Sequence, residues 1–489
     1  MKQLVVSLIG ALGIGLMGYA QEVGIGTTTP VARLHIDAPA GYTSDLIRGI
    51  FNSKSYFIVD DQGNLVSAVE ATDASASPGA PPVSGDGRRM LWYSEKAAFR
   101  AGYVNGTQWD QANIGNYSAA LGDNSTVSGM SGFAAGTGHT VSGDNGMALG
   151  SGNIINDDNG TAIGINNQVS GVGSIAMGAH DTTNGHFLSI GSSTLGFDNH
   201  TTRSGSIAIG NKNYTYHNGS FLTSAHYSNL DAAIAIGTQC TVSTARSIAM
   251  GFRASVKNFP GWGQADAGHG LEVIAIGSDV EAAGYQSVII GKGAYGDKDA
   301  AGAVVLGYTA KVYGNKGTAV GFEAEAHGSK ALAISTAASR AYGDNSAAIG
   351  YYARTETTAP RAIAIGNHAK AWGEDGAAIG LGVESKAMQV VVGTYNQVLG
   401  SNSGWVATEP VFIVGNGQSF SHSNAMVVLK NGNVGFGTNT PARTVHINDV
   451  LRLEPRATAP ASPSAGDIYF DSGTNKLRCY DGTNWQDLW

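Results

Sequence analysis

The sequence predicts an all-β fold, a parallel β-roll (a β-solenoid) built of 14-residue turns. Three observations predict it. First, an apolar triplet ending in glycine recurs from about Gly122 to Gly415, as in Ala-Leu-Gly122, Ala-Leu-Gly150, Ala-Ile-Gly210, Ala-Ile-Gly277, Val-Leu-Gly307 and Ala-Ile-Gly366. With the variants Ser-Ile-Gly191, Ala-Ile-Ser335 and Ile-Val-Gly415 there are nineteen copies, and nine of the eighteen intervals are 14 residues. A fixed period of this size marks a repeat architecture, and a Gly/Ala-rich linker would not hold isoleucine and glycine in phase for so long. Second, each copy alternates: Ile207 and Ile209 fall on one face and Ala208 on the other, the period of a strand and not of a helix. Third, glycine makes up 70 of 489 residues, roughly twice the usual share, and the excess sits where each strand must turn.

The elements follow in chain order. Residues 1–20 read as a signal peptide, with Lys2 as the positive start, an apolar run from Leu4 to Met17, and Gly18 and Ala20 at the cleavage positions. That run is too short to span a bilayer, so cleavage after Ala20 and export are expected, with a location at the cell surface or outside the cell and no later transmembrane segment. Residues 21–70 form a β-rich connector opening on Val23-Gly24-Ile25-Gly26 and Leu34-His35-Ile36. The same phrase returns in a second connector at 416–456, as Val434-Gly435-Phe436-Gly437 and Val445-His446-Ile447. Residues 71–88 and 457–464 are Pro-, Ser- and Ala-rich linkers. Residues 89–121 lead into the roll at 122–415, and 465–489 form a terminal strand–turn–strand hairpin.

Within one turn the glycine is expected to take a positive φ at a corner. Three residues later a small side chain recurs (Ala254, Ala310, Ala369), and two further on the alternation continues (Val256, Val312, Ala371) before a second glycine such as Gly314 or Gly373. Each turn is then strand, corner, strand, corner. One turn is too thin to bury a good core, and the alanine face is expected to be where further copies approach.

Charge and chemistry exclude several functions. A formal net charge of −8 with no basic cluster argues against nucleic acid. The glycines around Gly24 and Gly435 open no helix and precede no Gly-Lys-Ser/Thr, so they are turns and not phosphate loops. His35 and His446 read as polar residues at strand ends, and no metal site or cofactor is expected. Asp144-Asn145-Gly146, Asp157-Asp158-Asn159-Gly160 and Asp344-Asn345 read as Asx turns. Two cysteines build no disulfide framework, and Cys240 reads as a small buried apolar residue. No catalytic set recurs at a defensible spacing, and an enzyme is not expected.

The triplet and its 14-residue spacing resemble the head domain of trimeric autotransporter adhesins (YadA-like). The lead-in, Arg89-Met90-Leu91-Trp92-Tyr93 through Ala112-Asn113-Ile114-Gly115, resembles that of bacterial and phage tail-fibre-like β-roll proteins. The resemblance implies a left-handed roll that trimerises side by side. With the exported, low-charge chain it implies an adhesin or fibre that binds a surface ligand, such as a glycan or cell-surface receptor. A fibre-borne polysaccharide-degrading enzyme and a structural spacer are the alternatives. The chain carries neither the coiled-coil stalk and barrel of the autotransporters nor a self-cleaving chaperone.

Repeat insertions leave as loops, often on the binding face. The long intervals run from Gly191 to Gly210, Gly210 to Gly237 and Gly251 to Gly277. They are rich in aromatics and histidine, which pair apolar area with hydrogen bonding. The expected ligand-binding residues are Tyr214, Tyr216, His217, Tyr227 and Trp262.

Overall fold

The computed structural model describes residues 23–25, 34–36, 47–51, 54–59, 65–67 and 80–489, apart from 185–192, 203–204, 216–232, 245, 258–271 and 403. The predicted signal peptide and the first half of the first linker, 71–79, lie outside the described residues. The chain forms two compact units, Met1–Gly146 and Met147–Trp489.

The second unit is a parallel β-solenoid. Long strands pair one turn apart from Met147–Ser151 to Pro410–Asn416, and short strands do the same from Ile154–Ile155 to Glu384–Ser385. The glycines stay in register, as in Gly150↔Gly164, Gly210↔Gly237, Gly251↔Gly277 and Gly393↔Gly415. At Gly321 φ is +109° and a Cβ would overlap the carbonyl oxygen of Ser335 one turn on, so glycine is required twice over. Ser335 is the one non-glycine in this row of the unit, and around it the register shifts between Ile334 and Ala337, a bulge of one extra residue. The second-corner Gly314 needs no positive φ; its missing side chain lets the backbone of Gly328 approach.

Two readings are corrected. The alanine face points into the roll and not toward partners: Ala162, Ala208, Ala249, Ala333 and Ala364 are fully buried. Across from them lie Val169, Val242, Val256, Val312 and Ala371, equally buried. The gap between the two sheets of one turn is too narrow for a row of isoleucines, so alanine goes inside and isoleucine outside. Where Ile289 replaces the alanine, Gly296 replaces the opposing residue, and a Cβ there would lie 2.7 Å from Ile289 Cδ1. The second correction concerns Gly191. The strand Ser193–Phe197 pairs Gly178↔Gly196 and Gly196↔Gly210, so Thr-Leu-Gly196 is the repeat copy and the extra residues precede it.

The solenoid of the second unit ends in a cap. Pro410–Asn416 pairs antiparallel with Asn424–Leu429, which pairs antiparallel with Val434–Phe436. Lys430 is buried there, 3.5 Å from Glu409, and donates to the Ala387 carbonyl. Val434–Phe436 then pairs in parallel with Val445–Ile447. The copy of this phrase in the first unit folds alike, with Val23↔Leu34 and Ile25↔Ile36 in parallel. The C-terminal sheet adds a third strand to the expected hairpin: Ile468–Asp471, Lys476–Tyr480 and Trp485–Asp487.

In the first unit, the hairpin of Gly87–Tyr93 and Ala98–Val104 pairs in parallel with Ala119–Asp123, followed by Phe133–Thr137. The pairing Gly102↔Gly122 carries the glycine row one turn upstream of the first copy found in the sequence. Arg100 stands opposite Ala120, fully buried, and donates to the carbonyls of Phe99, Ser118 and Val127 and to the Ser118 hydroxyl. Burial pushes its guanidinium down to about 10. It closes the first turn by satisfying carbonyls that no earlier turn would meet.

Candidate interaction surfaces

With alanine inside, the residue before each glycine points outward. In the second unit this row reads Leu149, Ile163, Met177, Leu195, Ile209, Ile236, Met250 and Ile276, and runs on to Ile379. Neighbours are in register, as in Ile276↔Ile290 and Ile365↔Ile379. The side chains remain accessible, Leu195 at 47 % and Ile379 at 40 %. A row of large aliphatic side chains along one sheet is a surface for association, because water gains little by wetting it.

A second surface lies on the outer face of the short strands. Tyr313, His327 and Tyr342 from successive turns stack with centroids 4.5 and 4.3 Å apart, and Tyr295 joins them at 5.7 Å. Beside the stack, Glu325 meets His327 and Arg340 at 3.1 Å and Lys311 at 3.6 Å. Burial alone would raise the Glu325 carboxyl, but hydrogen bonds from His327 and Arg340 and the nearby cations hold it below the usual range. Burial and the Asp297 carboxylate, 2.9 Å from the hydroxyl, push the Tyr295 phenol up. Arg354 lies over Tyr342 and Lys386 over Trp372, both at 5.1 Å.

Of the expected ligand-binding residues, Tyr214 lies on this same outer face, 42 % exposed and 6.3 Å from the His200 ring. Tyr216, His217, Tyr227 and Trp262 lie outside the described residues. Sequence reasoning missed Tyr313, His327 and Trp372 because it searched the insertions. Each sits six residues past its glycine, Gly307, Gly321 and Gly366, and that spacing is the signal.

The corner three residues past the glycine carries a polar ladder in the early turns of the second unit. Asn153 donates to Leu149 and Gly164 carbonyls and accepts from the Asn167 amide at 3.0 Å. Asn167, Asn199 and Asn213 repeat the pattern. Cys240 ends it. Its thiol donates to Ile236 and Gly251 carbonyls in the same places, so it acts as a hydrogen-bonding member and more than a small apolar filler. Burial raises that thiol's pKa, against hydrogen bonds from neighbouring backbone groups. Later turns carry Ala254, Val280 and Ala294 there.

Among the described residues no cluster of three or more His, Cys, Asp or Glu side chains is placed to hold a metal ion, and no helix is long and apolar enough to cross a membrane.

No curated protein matches the chain. The family model of the YadA head domain repeat matches residues 158–180, 231–254, 299–324 and 358–382. Each match spans two successive glycine-row strands, such as Thr161–Ile165 and Ile175–Ala179, with the corner and short strand between them. The matched stretches of this solenoid are similar to YadA head domain repeats, and they support the reading of the roll as YadA-head-like.

Proposed function

We propose that this chain is an exported, homotrimeric surface adhesin or fibre subunit that binds a surface ligand and performs no catalysis. The outward aliphatic row carries the proposal. A YadA-like head that presents Leu, Ile and Met along one whole sheet needs further copies to cover them, and identical chains offer identical rows. The interface is the isoleucine face, with the alanine face committed to the interior. Light scattering of the mature chain is expected to give three times the monomer mass. Ile276→Glu combined with Ile290→Glu, adjacent in that row, is expected to give a folded species of lower mass. A wild-type chain that is a stable, monodisperse monomer overturns the trimer.

Export is the second part of the proposal. Mass spectrometry of the protein from its host is expected to show an N-terminus at Gln21, and an intact Met1 on cytoplasmic protein refutes it.

For the ligand, the aromatic insertions remain the proposed contact region, with Tyr214, Tyr216, His217, Tyr227 and Trp262 as contacts and a glycan as the ligand class. Tyr214 sits outward and accessible, which supports the reading. Three chains would present three such sites, turning weak single contacts into avidity. A glycan array probed with the trimer and with a variant lacking 216–232 and 258–271 tests this. Loss of binding in the variant is expected; equal binding by both, or binding by neither, removes the insertions from recognition.

A further inference from the structure

One residue in the corner ladder has the wrong chemistry for its place. Asn153, Asn167, Asn199 and Asn213 each use the side-chain oxygen to accept an amide from the next turn and the side-chain nitrogen to donate to two carbonyls. Asp181 stands in the middle of this series. Its Oδ1 keeps the accepting half, taking the Asn199 amide at 2.9 Å and the Asn199 side chain at 3.1 Å. Its Oδ2 stands where the others have nitrogen. A Cβ built on the preceding-strand glycine lies 3.2 Å from Asn167 Nδ2, 3.0 Å from Asn199 Nδ2 and 3.1 Å from Asn213 Nδ2, and 2.8 Å from Asp181 Oδ2. An amide nitrogen donates to the carbonyls there, whereas a carboxylate oxygen can only be repelled by them. Asp181 is fully buried and Oδ2 has no partner.

We propose that Asp181 is held as the neutral carboxylic acid in the folded roll. Its Oδ2–H donates to the Met177 or Gly196 carbonyl in place of the asparagine amide, and loss of that proton to solvent weakens the roll at this turn. The site is a pH-operated weak point built into an otherwise uniform ladder. The groups around it agree. The preceding turn, Thr161–Ser170, contributes no titratable or charged side chain. The interior facing it holds Ala176, Thr183, Thr194 and Thr201, all uncharged. The following turn contributes Asp198 and His200, and its own turn His180. Burial raises the Asp181 carboxyl, as does the Asp198 charge, while the Asn199 and Gly196 groups oppose the rise without cancelling it. Burial also lowers His200, which disfavours a cation at that neighbouring position.

The sign follows from linkage. A carboxyl raised on folding lends its full stability below its unfolded range, near pH 4, and loses it as pH rises through the folded value. The roll is therefore tightest in acid with respect to this group. Asp181→Asn restores the uniform ladder and removes the dependence. Melting temperatures of full-length wild type, Asp181→Asn and the exposed control Asp299→Asn, between about pH 5 and pH 8, test this. Expected is a gain of roughly 2 °C or more for Asp181→Asn at the upper end. Its advantage shrinks toward the acid end, and the control follows wild type. Infrared difference spectra of the native proteins supply a second readout: a carboxylic-acid C=O band in wild type at neutral pH that Asp181→Asn lacks. Parallel wild-type and Asp181→Asn melting curves, a variant less stable at every pH, or absence of the acid band overturns the proposal.

Discussion

Gly321 carries two constraints at once, a left-handed backbone and contact with the next turn's carbonyl. The sequence period exposed the first; the second comes from the stacking of turns and needs the structure. Gly321→Val is expected to cost more than the ~1–3 kcal/mol of backbone strain alone, because the Ser335 carbonyl must also move. Gly138, at φ +67° with open space around its Cα, is the control. Gly138→Asn is expected to stay within about 0.5 kcal/mol, since Asn124 already adopts that conformation at the equivalent corner. Thermal melts of both variants check the contrast. Ile289 and Gly296 form a compensated pair across the interior. Gly296→Val alone should overpack, and Ile289→Ala alone should leave a void, each costing about 1–3 kcal/mol. The double variant restores the pattern of other turns and is expected to recover most of the loss in a double-mutant cycle. Additive losses would show that the two side chains do not compete for one space. Cys240 was legible as small and buried, but its thiol hydrogen bonds were not, because nothing in one sequence says that the residues at this corner donate. A thiol reagent is expected to label Cys479 in the native protein and to reach Cys240 only after unfolding, since Cys240 is buried and Cys479 is partly accessible.

At the scale of the strand, the alternation was readable and its direction was not. A period of two says that Ile207 and Ile209 share a face, and leaves open which face is inside. The usual instinct sends isoleucine inward; the narrow gap between the two sheets of a turn reverses it. Ala364→Leu is thus expected to destabilise the roll by about 1–3 kcal/mol through overpacking. The outward Ile365→Ala should leave the fold intact and weaken association. Circular dichroism melts and light scattering on the same samples separate the two effects. Strand existence was legible wherever the triplet was clean. It failed at Gly191 because Ser-Ile-Gly imitates the triplet five residues early, and only the pairing of Ser193–Phe197 with its neighbours tells the two apart. The cap residue Arg100 was equally hidden: a charged residue beside Ala101-Gly102 looks exposed until the hairpin places it over the open end.

For the molecule as a whole, the repeat told the fold and said little about the site. Recognition is proposed for what breaks the period, and four of the five residues chosen for it fall outside the described residues. The stacked rings of Tyr313, His327 and Tyr342 keep the period and went unnoticed for that reason. Within Met147–Trp489 each turn answers only to its neighbours, the property of a solenoid. Deleting residues 308–321, one full turn, joins Gly307 to Phe322 in phase and is expected to leave a folded roll with a melting temperature within a few degrees of wild type. Deleting 308–314 alone swaps corners and faces and is expected to prevent folding of that region. Equal tolerance of both deletions would mean that the register is not what holds the turns.

The parallel pairing of every long strand with the next carries a mechanical consequence. The backbone hydrogen bonds of such a ladder point from turn to turn. Tension that pulls one end of the second unit away from the other therefore loads one turn's bonds at a time, as a thread is drawn from a spool. Each 14-residue turn released would pay out about 46–50 Å of extended chain, and the longer turns more, before the next one took the strain. A surface tether built this way would lengthen turn by turn under shear and dissipate the pull, with the intact turns behind it still folded.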